Sequence, residues 1–183
     1  MKVIDVIKTA MLLTEREDLA NYLDEDLYDP ACEKEISDFM ECFRMAEEDI
    51  AIHFLALTAK EKVWTEDGII LYSALSKPVV DVLRVEVNGI GVPFVLYPDR
   101  IETKAENVDV VYSHLPSQKK IEDECEFLKR VPRSVAAYAV AEFYCLISGM
   151  REEAALFDEK YKKGMSAVCS VSPKKRMGAR QWC

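Results

Sequence analysis

Residues 79–116, VVDVLRVEVNGIGVPFVLYPDRIETKAENVDVVYSHLP, decide the fold class, because here the chain leaves a helical period for short-range alternation. The stretch is rich in β-branched and aromatic side chains, which suit a pleated, half-buried surface. Asn88-Gly89 lies between two such runs, and both residues tolerate positive φ, so the pair signals a hairpin. Pro98-Asp99 marks a second turn. The spacing predicts strands over 69–73, 79–87, 91–97, 100–103 and 108–113. Five short strands of this kind make a small antiparallel sheet or half-barrel.

On both sides of this zone the pattern is helical. Val3, Ile4, Ile7, Ala10 and Met11 recur at helical spacing, and Thr14 is placed to cap a second helix whose first turn holds Glu15 and Glu17. An acidic turn closed by Pro30 follows. From Cys32 to Thr58 the residues Ile36, Met40, Phe43, Ile50, Phe54 and Leu57 form one stripe, and Glu33, Glu35, Asp38, Glu41 and Glu48 lie off it. Beyond the β zone, Ser134 is read as the cap of a helix running to Ser148, with Gly149 as its left-handed stop. A further helix runs from about Arg151 to Val168, and the short Gly149-Met150 link makes the two a tight hairpin. The expectation is an α+β protein. A helical bundle of N-terminal helices and a C-terminal helix hairpin carries an inserted β subdomain and an extended C-terminal tail. Four segments result: 1–61, N-terminal helices; 62–116, inserted β subdomain; 117–168, helix hairpin; 169–183, basic tail.

At 183 residues, half of them apolar, the chain is long enough for one ordinary core. No apolar run approaches the roughly 18 residues of a membrane span, and Asp5 and Lys8 interrupt the N-terminal apolar run, so the expectation is a soluble, cytosolic protein without membrane contact. Six cysteines are scattered singly and read as reduced, mostly buried thiols. The net charge of −9 is unevenly spread. Residues 1–61 hold 16 acids and 6 bases, net −10; residues 62–116 hold 8 and 5, and residues 117–159 hold 9 and 6, each net −3; residues 160–183 hold 7 bases and no acid. A block of one sign at a terminus reads as an interaction tail. Lys174, Lys175, Arg176 and Arg180 are its steering cations, and Trp182 is its anchor, because interface hot spots favour buried indoles.

The residues for catalysis do not assemble in the sequence. Only His53 and His114 are available as bases for a cysteine nucleophile. Asp49 and His53 share a helical face, but no second pair repeats the pattern, as a helical di-metal site requires. Gly89-Ile90-Gly91 lacks the third glycine and following helix of a dinucleotide fingerprint, and no phosphate-binding lysine follows a glycine-rich turn. The expectation is a non-enzymatic protein with no cofactor, no metal and no sequence-specific contact with DNA, whose partner is another protein.

The order YSALSK, a VEVNG hairpin, VPFVLYPDRIET, VDVVYSHLP, then VAAYAVAEFYCLISGMREEAALFDEKYKKGM and a closing RMGARQW resembles the head-to-tail connector, or adaptor, proteins of tailed bacteriophages. The likeness spans nearly the whole chain, and its most specific pieces are the hairpin at 134–165 and the closing arginine and tryptophan. Gln181 stands where related tails have a second arginine, and Cys183 replaces an aliphatic end. The resemblance implies a virion structural protein at the head-to-tail interface, assembled in the host cytoplasm. It implies a homo-oligomeric ring, commonly of twelve subunits, that lies below the portal protein, extends the DNA channel and offers tail or neck proteins a platform. Lys174, Lys175, Arg176, Arg180 and Trp182 are then the portal-docking residues. Two alternatives stand beside it: another neck or tail-completion protein of the same virion, and an unrelated acidic cytosolic enzyme or regulator.

Overall fold

The computed structural model describes residues 1–24, 29–65, 67–127 and 130–170. It is an α+β protein of two units: a helical unit of Met1–Phe43 with Ile121–Cys183, and a β unit of Arg44–Lys120. The division falls within one helix.

In the helical unit, α1 (Val3–Leu13) buries Val3, Val6, Ile7, Ala10 and Met11. Val6 thus takes the place expected of Ile4. The helix start is capped by backbone from elsewhere in the unit: the N–H groups of Val3 and Ile4 donate to the carbonyls of Asp123 and Ile121 at 2.9 and 3.0 Å, satisfying donors that a helix start leaves free. Thr14 does not open the second helix as expected. Its hydroxyl donates to the Ala10 and Met11 carbonyls at 3.0 and 3.2 Å and so closes α1, while α2 (Glu17–Tyr22) begins after Arg16.

Helix α3 (Pro30–His53) starts on a proline, whose missing N–H is no loss in a first turn. It ends earlier than its stripe predicts: the N–H groups of Phe54 and Leu55 both turn back to the Ile50 carbonyl, and Leu57 belongs to a strand. Ile36, Phe43 and Ile50 are buried as expected; Phe39, outside the expected stripe, is buried completely.

Helices α4 (Arg133–Ile147) and α5 (Arg151–Ser170) form the hairpin. Pro132 precedes α4 as its cap residue, and Ser134 is already inside the helix, so the expected serine cap is absent. Gly149 has φ +79°, and the Met150 N–H reaches back to the Cys145 carbonyl at 2.8 Å, the left-handed helix stop that Gly149 signals. The two helices come close at Gly164, where an added methyl group would stand 2.6 Å from a methyl of Val135, and Tyr138 of α4 stacks on Phe157 of α5 with ring centroids 6.3 Å apart.

The β unit has seven strands among the described residues: β1 (Leu57–Trp64), β2 (Ile69–Leu71), β3 (Val79–Val87), β4 (Ile90–Gly91), β5 (Phe94–Leu96), β6 (Arg100–Thr103) and β7 (Asn107–His114). They form two antiparallel sheets, of order β1-β7-β3-β4 and β2-β6-β5. Strand β1 lies where the sequence reading places the end of a helix. Asn88 and Gly89, at φ +53° and +82°, turn β3 into β4 as expected. The predicted strand 91–97 is divided, because Pro93 has no N–H to continue the ladder. After Val92 donates to the Val85 carbonyl at 2.9 Å, the chain leaves β3, and β5 pairs with β6 in the other sheet.

One core joins the sheets. Ile70 and Ile101 come from the three-stranded sheet, Val82, Val85, Val108, Val110 and Tyr112 from the four-stranded one, and Leu75 from the link between β2 and β3. No helix among the described residues is long and apolar enough to cross a membrane.

Candidate interaction surfaces and polar clusters

The tail residues Lys174, Lys175, Arg176, Arg180 and Trp182, expected to dock on a partner, lie outside the described residues. The site-forming groups that the structure does bring together are three.

The first clasps the helical unit. The Arg16 guanidinium holds the Asp18 carboxylate in a fork at 2.9 and 3.0 Å, pairs with Glu35 on α3, and donates to the Tyr144 hydroxyl on α4 at 3.1 Å. Tyr144 in turn stacks on Phe39, ring centroids 4.0 Å apart. The Arg16 pairing holds the Asp18 carboxyl below its ordinary value. Glu35, which the sequence places on an outward acidic face, is therefore partly spent on this clasp, and Glu48 similarly pairs with Arg44. Glu33, which accepts from the Tyr22 hydroxyl at 3.1 Å, and Glu41 are exposed along α3.

The second lies at the end of the β-unit core. Glu61 on β1 accepts hydrogen bonds from the Ser76 hydroxyl, the Ser76 N–H at 3.0 Å and the Tyr112 hydroxyl. The two hydroxyls hold the Glu61 carboxyl below its ordinary value, the Ser76 contact contributing most, while burial and Glu61 push the Tyr112 phenol up. Beside them the His114 Nδ1–H donates to the Leu115 carbonyl at 2.7 Å. Its Nε2 is thereby left to accept from the Lys77 ammonium at 3.2 Å. Every member of this cluster has a partner, and its effect is to pin the Ser76-Lys77 link against the sheet. Because the folded-state value of Glu61 is depressed, its contribution to stability is present above the unfolded value, about 4.5, and is lost as pH falls through the folded one. Glu61→Gln is expected to lower the melting temperature at pH 7, and the gap to the wild type is expected to narrow by pH 3. Thermal melts at both pH values check it; a gap independent of pH would dissociate the carboxylate charge from the effect.

The third is the outward face of the four-stranded sheet. Lys60 on β1 reaches Glu86 on β3 and Asp109 on β7 at 2.9 and 3.0 Å, and Arg84 approaches Glu86 at 3.4 Å. Glu86 is 8 % exposed, and this pairing compensates a charge otherwise costly to bury. Trp64 stands on the same outward face, as the alternation of β1 requires. Two open clefts flank the sheets: one of about 340 Å³ bordered by Tyr72, Val79–Val82 and Leu96–Pro98, and one of about 490 Å³ bordered by Val92–Val95 and Glu102–Ala105.

Among the described residues no group of three or more histidines, cysteines and acids could hold a metal ion, and Asp49 and His53 make only a 3.7 Å pair. Cys42, Cys125 and Cys145 are buried, and Cys32 and Cys169 are half-buried. Burial pushes Cys42 up to about 12, far from the thiolate a nucleophile needs.

The sequence reading singled out Trp182 and passed over Trp64, which is 61 % exposed. The signal was the alternation of Lys60, Lys62 and Trp64 with Ala59, Glu61 and Val63, obscured because alanine, lysine and glutamate also favour helix. No protein-family model matches the chain, and no curated protein matches it.

Proposed function

We propose that this chain is a virion structural protein, a head-to-tail adaptor that forms a ring, commonly of twelve subunits, below the portal of a tailed phage. The observation that carries the reading is the α4–α5 hairpin. Its tight turn at Gly149 and the close approach of Gly164 to Val135 occupy the segment in which the chain most resembles phage connectors, in an α+β protein with an inserted β unit. In this reading the protein is not an enzyme. It extends the DNA channel and gives tail or neck proteins a platform. Exposed carboxylates such as Glu33 and Glu41 on α3 repel the phosphate backbone, so that DNA passes without sequence-specific contact or sticking. Lys174, Lys175, Arg176 and Arg180 steer the tail onto the portal, and Trp182 anchors it.

The test is co-sedimentation with the cognate portal ring, comparing the full chain with one truncated after Val171, at low and moderate salt. The full chain is expected to bind stoichiometrically, with affinity falling as salt rises, and the truncated chain at least roughly tenfold more weakly, as loss of a hot-spot anchor implies. If neither chain binds, the reading falls. If both bind alike, the adaptor survives without its tail as the docking element, and a chain found only with other neck or tail proteins is a completion protein instead.

A further inference from the structure

The two outward faces of the β unit point away from a shared core and carry unlike chemistry. On the four-stranded sheet, Lys60, Arg84, Glu86 and Asp109 pair among themselves. Lys62, on the same face two residues before Trp64, has no ion-pair partner among the described residues. This face therefore ends in an indole two residues from Lys62, whose register neighbour Asp109 is held by Lys60 at 3.0 Å. On the three-stranded sheet, the pairings Ile69↔Glu102, Leu71↔Arg100 and Val95↔Glu102 put these five side chains on one face, opposite the side on which Ile70 and Ile101 are buried. Ile69, Leu71 and Val95 are 46, 49 and 55 % exposed. They surround Glu102, one oxygen of which is held by Arg100 at 2.8 Å. This second face is aliphatic with an accessible carboxylate.

The Trp64 indole of one face can cover the aliphatic patch of the other, and Lys62 and Glu102 bring opposite charges to that contact. Such a pair of patches, on opposite sides of one unit, makes a heterologous contact, which repeats head to tail and closes into a ring when the rotation allows. Exposed tryptophan and aliphatic side chains on a charged protein are also the surfaces that gain most from being covered.

We propose that copies of this chain join head to tail through the β unit, Trp64 and Lys62 of one copy seating on Ile69, Leu71, Val95 and Glu102 of the next. This rests on the ring reading above and names the surface that builds the ring.

The test is native mass spectrometry and sedimentation of the full chain, alone and on the portal ring, for the wild type, Trp64→Ala, Lys62→Glu, Glu102→Lys and the Lys62→Glu/Glu102→Lys double variant. Far-UV circular dichroism checks that each is folded. Trp64→Ala is expected to raise the concentration for half-assembly roughly tenfold or more, the size of a hot-spot loss. Each charge reversal is expected to weaken assembly, and the double variant to recover it. A ring that forms equally well in Trp64→Ala and both single reversals overturns the inference and leaves the adaptor reading standing. So does a pair of weakened reversals that the double variant fails to restore. Variants that keep the ring but lose a tail or neck protein assign these faces to that partner and overturn it too. A wild-type chain that stays monomeric, alone and with the portal, overturns both.

Discussion

Replacing Gly68 with alanine is expected to cost about 3–5 kcal/mol and to disrupt the three-stranded sheet. Two independent effects add. Gly68 has φ +71°, a left-handed conformation that costs a residue with a Cβ about 1–2 kcal/mol. The Cβ would also stand 1.8 Å from the Thr103 carbonyl oxygen, a backbone atom that no rotamer change moves. Relief requires the backbone to part, and there the Thr103 N–H donates to the Gly68 carbonyl at 2.8 Å. Losing that bond loosens β2 from β6, where Ile70 and Ile101 face each other at 1 and 0 % exposure.

Gly89 supplies the control. Its φ is also positive, +82°, but an added Cβ there meets nothing within 4 Å. Gly89→Ala therefore carries only the conformational cost, about 1–2 kcal/mol. Urea unfolding of both variants, with amide exchange over 69–71 and 100–103, reads the difference. Equal losses would mean that the Thr103 contact is not what restricts position 68.

Phe39→Ala is expected to cost about 3–5 kcal/mol, the usual toll of deleting a buried phenylalanine. Phe39 is fully buried on α3, and its ring lies at 14° to that of Tyr144 on α4. Its loss removes apolar burial and one wall of the slot that orients Tyr144. The Tyr144 hydroxyl, which accepts from Arg16, then loses its fixed position, and with it the contact between Arg16 and α4 weakens. Tyr144→Phe isolates that last part. It keeps the stacked ring, removes one charge-assisted hydrogen bond, and is expected to cost about 1.5–3 kcal/mol. Guanidinium unfolding gives both values. A Phe39→Ala loss no larger than that of Tyr144→Phe would show that the stack adds little to the packing.

Local signals were readable where their cause is local. Asn88-Gly89 and Gly149 announce positive φ by their own chemistry, and at both the chain adopts it. The burial stripes of α1 and α5 follow from periodicity within each helix. On α4 the expected face of Val135, Tyr138, Ala139, Glu142, Phe143 and Leu146 holds only for Val135 and Ala139, because α4 packs against both α1 and α5 and buries residues on more than one side. Thr14 and Ser134 misled because a hydroxyl can cap either end of a helix or sit inside its first turn; which it does depends on where neighbouring backbone supplies donors and acceptors. For α1 that backbone is the 121–123 segment, remote in sequence.

Strand β1 shows the limit most clearly. Its residues, LTAKEKVW, carry no β preference strong enough to outweigh a helical reading, and its partner β7 lies some fifty residues on, pairing Leu57 with His114 and Trp64 with Asn107. Pairing with β7 makes Trp64 an outward side chain and Glu61 a partner of Tyr112. The split of the 91–97 run has a local cause, Pro93, but its consequence is tertiary: two sheets, hence two outward faces.

The sequence by itself determined an α+β chain with helices around an inserted β zone, a tight C-terminal helix hairpin, and a strongly acidic body with a basic end. These follow from periodicity, turn chemistry and charge, which act over a few residues or through simple composition. Only the tertiary structure decided which strands share a sheet, that Arg16 clasps α2, α3 and α4, and that Trp64 and the Ile69–Leu71–Val95 patch face solvent on opposite sides of one core. Those facts depend on partners distant in the chain, and burial and strand register are properties of the packed pair rather than of either segment alone.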